Sequence, residues 1–93
     1  MKGPLIYYEI KEMYGTNLNS VKSASELRQS ILEEISLGFN VEIDFAGVVS
    51  LSSRWIQNVF GQIINEYGED FFKNHILISN LNKKLKKGVL KTS

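Results

Sequence analysis

The chain has no cysteine, one histidine and one proline among its 93 residues. Without cysteine there is no disulfide framework, no thiolate zinc site and no cysteine nucleophile. With His75 as the only histidine, histidine-based metal clusters and a Ser-His-Asp triad have almost nothing to draw on. The one proline is Pro4, and no Pro/Gly-rich linker or repeat divides the rest of the chain. No apolar run approaches the ~20 residues that a bilayer span requires. Leu5-Ile6-Tyr7-Tyr8 is far shorter than a signal-peptide core and is followed by Glu9 and Lys11. These absences argue against an enzyme and against a membrane protein. They predict a cytoplasmic chain that needs neither cofactor nor metal.

What is present is an ordinary globular composition, 43% hydrophobic and 23% charged. It predicts a single domain over residues 1–93 with a modest core. The net charge of +1 conceals an uneven split. Residues 1–72 hold five basic groups and all ten acids, whereas residues 73–93 hold six lysines and no acid. A basic end has two readings: it seeks nucleic acid or another anionic surface, or its lysines line the wet face of a terminal helix.

The pattern alternates between strand and helix. Residues 5–10 are aromatic and β-branched, a first strand. Gly15, Asn17 and Asn19 punctuate the next stretch, and residues 12–19 have room for a short extra strand. Ser23 with Glu26 fits a capping box ahead of Leu27, Ile31, Leu32 and Ile35, with Gly38 as the stop. Phe39, Val41, Ile43 and Phe45 alternate with Asn40, Glu42 and Asp44, which predicts a strand with one apolar and one wet face. Residues 46–51 read as a loop with a partly buried Val48-Val49. Ser52 or Ser53 then caps a helix carrying Trp55, Ile56, Val59, Phe60, Ile63, Ile64 and Tyr67 on one stripe, closed by Gly68. Residues 70–74 read as a connection, 75–79 as a third strand and 82–90 as a last helix. The expected class is α/β: a mixed sheet of three to four strands with about three helices packed on it.

The passage from Val41 to Gly61, with Asp44-Phe45, Gly47-Val48, Leu51-Ser52 and Phe60-Gly61 as its fixed points, resembles the STAS-like domain family of unknown function. Those small bacterial and phage proteins carry a strand, turn, serine and helix in this order. The passage is more distantly similar to the STAS domains of anti-sigma-factor antagonists. The resemblance spans roughly residues 24–90 and implies a small STAS-like domain. It also implies that the loop and helix after the strand ending at Phe45 form a partner surface, and it places Ser53 on the serine that antagonists phosphorylate. Ser52 replaces the antagonist aspartate, Arg54 stands where a second serine is usual, and Trp55 replaces phenylalanine in one family and glycine in the other. Gln57 and Asn58 stand where an acidic pair is common.

Chemistry narrows the candidates. A phosphate on Ser53 would sit at a helix N-terminus, beside free amides and the positive end of the dipole; the alternative is that Ser52 or Ser53 only caps the helix. Between Arg54 and Glu66 the helix offers Gln57, Asn58, Gly61, Gln62 and Asn65 with no charge, a composition that suits an interface centre as well as a merely polar face. Gly61 in mid-helix points to close approach by a neighbour. Trp55 is an interface anchor or, as favoured, a lid on the core. Asp44 is a ligand or base or, as favoured, a cap on the following turn. His75 reads as a strand-edge or surface group.

Three functions follow. The first is a non-catalytic interaction module that binds a protein partner through residues 52–65, by resemblance a histidine-kinase-like ATPase or another regulator. Ser53, Arg54, Gln57, Asn58, Gly61, Gln62 and Asn65 are its contact residues and Ser53 its phosphorylation site. A homodimer is compatible with it. The second is a nucleic-acid-associated protein using Lys83, Lys84, Lys86 and Lys87, disfavoured because no aromatic platform accompanies them. The third, a small enzyme built on Asp44 and Ser53, is the weakest because no base, metal site or phosphate-cradling loop stands beside them.

Overall fold

A computed structural model describes residues 3–81. Leu5–Glu9 (β1), Asn40–Asp44 (β3) and Ile76–Ser79 (β5) form a parallel sheet in the order β1-β3-β5. Asn17–Leu18 (β2) pairs in parallel with Ser50–Leu51 (β4) as a separate short ribbon. The helices are Ile10–Tyr14 (α1), Val21–Ser36 (α2), Ser53–Ile56 (α3), Gln62–Tyr67 (α4) and Glu69–His75 (α5). A π-helical segment, Gln57–Gly61, joins α3 to α4 without leaving helical dihedrals. The class is α/β as expected, and β2 lies within residues 12–19, where a further strand had room.

Parallel neighbours require crossovers, and right-handed crossovers stepping the same way across a sheet place their helices on the same face. Both steps here, β1 to β3 and β3 to β5, run in one direction. Burial follows from that. Val41, Ile43, Phe45 and Ile76 on the covered side are buried with Leu27 and Ile31 of α2 and with Ile56, Val59, Phe60 and Ile63. Phe45, Trp55 and Phe60 meet edge-on with centroids 6.1 to 6.3 Å apart, and Phe72 of α5 joins Phe60 at 5.6 Å. The alternation read in β3 therefore does mark one apolar face. On its other side Asn40 and Asp44 are also buried, held by hydrogen bonds rather than wet.

Local boundaries differ in instructive ways. The start of α2 lies ahead of the expected capping box: Ser20 is the N-cap, its hydroxyl accepting from the Ser23 amide at 3.3 Å. Ser23 is already helical, and its hydroxyl accepts instead from Trp55 Nε1 at 3.1 Å, a tertiary bond between two helices. The far end is as read. Gly38 at φ +96° donates to the Ile35 carbonyl and Phe39 to that of Glu34, the paired bonds of a Schellman close. Residues 70–74 are not a connection but the body of α5, which carries Glu69 and Asp70 in its first turn and Lys73 and His75 in its last, the charge order the helix dipole favours. The expected helix over residues 82–90 lies outside the described residues. No described helix is long and apolar enough to cross a membrane.

Candidate functional site

The loop after β3 is tied down before the helix begins. The Val49 and Ser50 amides both donate to the Thr16 carbonyl, at 2.8 and 3.2 Å, and the Ser52 amide donates to Leu18 at 2.9 Å. The β2-β4 ribbon thus delivers Ser52 to the helix start in an extended conformation, φ −74° and ψ 151°. Its hydroxyl accepts from the Trp55 amide at 3.0 Å. The two serines are therefore divided in role. Ser52 is the cap, while Ser53 is the first helical residue and is exposed. Trp55 is fully buried and belongs to the core.

Along the outer face of this helix Arg54, Gln57 and Asn65 are exposed, and Asn58 and Gln62 are half-buried. Asn58 turns back on its own helix, its amide donating to the Arg54 carbonyl at 2.8 Å. Gly61 is buried because Gln57 lies over it: a Cβ at Gly61 would stand 2.6 Å from the Gln57 carboxamide. The close approach signalled by this glycine is thus made within the same helix, by the far end of a flexible side chain.

The π-helical segment has a partner that the sequence did not signal. Here the Gln62 amide bonds to the carbonyls of Gln57 and Val59 and skips that of Asn58. Arg28 of α2 donates its guanidinium to the Asn58 carbonyl and also reaches Ser25 Oγ at 3.4 Å. A half-buried cation on a displaced carbonyl stabilises a helical defect of a kind often found at working sites. Val49, expected to be partly buried, is 69% exposed, while Val48 is buried.

Asp44 caps its turn. Its carboxylate accepts from Ala46 N at 2.9 Å, from Asn80 Nδ2 at 2.8 Å and from the Tyr7 hydroxyl. Those bonds, that of Tyr7 foremost, hold its pKa below the ordinary carboxylate value, and the same contact pushes Tyr7 up to about 12. Ser53 is not among these partners of Asp44, so the structure does not join the two residues of the enzyme reading. His75 is half-buried, its Nδ1 2.9 Å from Asn40 Oδ1 and its ring 4.8 Å from that of Phe71. Among the described residues no three His, Asp or Glu side chains gather as a metal site. Lys83, Lys84, Lys86 and Lys87 lie outside the described residues.

The family model described as a STAS-like domain of unknown function matches residues 23–86, a span that takes in α2 from Ser23 onward, β3, the ribbon strand β4 and the whole helical face above. Nothing among curated proteins or solved structures matches the chain.

Proposed function

Since the chain belongs to the STAS-like domain family, we propose that it is a non-catalytic, cytoplasmic interaction module that docks a regulatory protein on residues 52–65. The observation that carries this reading is the uncharged face of Gln57, Asn58, Gly61, Gln62 and Asn65 on a helix whose one glycine is overlaid by a flexible glutamine. Interface centres are depleted of charge, and a partner that displaces Gln57 gains close contact with the Gly61 backbone. Ser53 is the regulatory point. A phosphate there adds about −1.5 to −2 charges at a helix N-terminus without disturbing the cap, which Ser52 supplies. The same charge would repel an acidic partner and, against an apolar one, would cost the desolvation of the phosphate. By the more distant resemblance to the STAS domains of anti-sigma-factor antagonists, the partner class we propose is a histidine-kinase-like ATPase or another regulator.

The test is a pulldown from native lysate with wild type, Gln57→Arg and Ser53→Asp, read by mass spectrometry for partners and phosphosites. One protein retained by wild type and lost by both variants is the expected result. Recovery of the same proteins with all three baits would remove this face as the interface. Recovery of nucleic acid in place of protein would move the function to the lysine-rich end.

A further inference from the structure

The topology that gathers the helices leaves the other face of the sheet without a helix over it among the described residues, and of the residues on that face Asn40 and Asp44 alone, at its two ends, are buried. Register assigns that face to Leu5, Tyr7 and Glu9 of β1, Asn40, Glu42 and Asp44 of β3, and Leu77 and Ser79 of β5. Parallel sheets are almost always covered on both sides. Here Leu5, Tyr7 and Leu77 are 47%, 53% and 45% exposed, three large side chains on one small sheet. The ionisable groups that the strands place among them are carboxylates and the Tyr7 hydroxyl, with no lysine or arginine.

Residues 82–93 have the opposite character. They carry Lys83, Lys84, Lys86, Lys87 and Lys91 and no acid, interleaved with Leu85, Val89 and Leu90. Residues 3–81 carry five cations against ten acids, a net −5, which those five lysines balance. We propose that the uncovered sheet face is the docking site of the chain's own segment 82–93, with its leucines and valine on Leu5, Tyr7 and Leu77 and its lysines beside Glu9 and Glu42. Reach is ample. Segment 82–93 follows Leu81, two residues after the end of β5 at Ser79. A dozen residues span at most roughly 40 Å, against a sheet of three strands about 5 Å apart. Tethering holds the segment at an effective concentration on the order of millimolar, so that modest contacts suffice. The inference is independent of the partner surface on residues 52–65.

Methyl NMR on the full chain decides it. Cross-relaxation between the Leu5 or Leu77 methyls and those of Leu85, Val89 or Leu90, retained when labelled chain is diluted with excess unlabelled chain, is the expected result. Signals that vanish on that dilution would assign the face to a second copy and overturn the proposal. An absence of such signals, with Leu5 and Leu77 unmoved when Leu85 and Val89 are changed together to Ser, would overturn it as well.

Discussion

At the scale of single residues, the most telling contact is between Tyr7 and Asp44. Tyr7 stands on an edge strand opposite Glu42, and its hydroxyl reaches across to the carboxylate that caps the 44–46 turn. The bond favours ionised Asp44 and protonated Tyr7, so it stabilises the fold between the two titrations. Asp44 titrates lower in the folded chain than its ordinary 3.8, so its contribution is present above about pH 4 and is lost as pH falls through the folded value. Tyr7 titrates near 12 instead of 10, so its contribution is complete below pH 10 and is lost between 10 and 12. Urea midpoints measured against pH should fall at both ends. Tyr7→Phe should flatten both limbs without abolishing the alkaline one, since burial also raises Tyr8 and Tyr14. A Tyr7→Phe profile parallel to wild type would contradict this account. The adjacent serines give a second contrast. Ser52→Ala should cost about 1 kcal/mol through the lost cap, while Ser53→Ala should leave the denaturation midpoint unchanged. Equal losses would mean that the two share the cap.

The same logic extends to whole elements. Helix residues 53–67 deviate from α geometry in the middle, and the deviation is satisfied from outside by Arg28 of α2. Removing that guanidinium leaves the Asn58 carbonyl without its charged donor in a part-buried position. Arg28→Ala should cost roughly 1–3 kcal/mol by chemical denaturation, and Arg28→Lys should restore part of the loss. If Arg28→Ala were neutral, the carbonyl would be finding water, and α2 would not be holding the π-helical segment in place. Trp55 locks the same two helices at their starts by donating to Ser23. The candidate surface is thus held at its first turn and at its centre, which leaves Gln57 as its adaptable part.

For the molecule as a whole, one-directional crossover explains both of its proposed surfaces. Helices collected on one side bury the Phe45, Trp55 and Phe60 cluster and leave the outer face of residues 53–65 to solvent. The opposite side of the sheet keeps three exposed apolar side chains and its carboxylates. A negatively charged body and a lysine-rich end on one chain attract over roughly a Debye length, about 8 Å at physiological salt. Docking of residues 82–93 should therefore weaken as salt rises, through its ion pairs and not its apolar contacts. The Leu5 and Leu77 methyl shifts, followed across a salt titration, measure that weakening.

Much of this was legible in the residues themselves, and what was legible was local. Period-two alternation from Phe39 to Phe45, the helical stripe from Trp55 to Tyr67 and the glycines at 38 and 68 depend on backbone sterics and nearest-neighbour burial, so α/β class and most elements could be read directly. The short motif around Asp44 to Gly61 carried the family for the same reason, as a strand, turn and helix start contiguous in sequence. The dipole-ordered charges of α5 were also there to be read, in a helix too short for its apolar spacing to stand out. Only tertiary structure could decide the rest. The use of Ser23 by Trp55, the Arg28 bond to Asn58 and the reach of Tyr7 to Asp44 join residues 30 or more positions apart. Nothing in a linear pattern records which hydrogen-bond donor will find which carbonyl. Strand order is of the same kind: it was set by which crossovers close over one core, and that choice made one face of the sheet interior and left the other without a helix among the described residues.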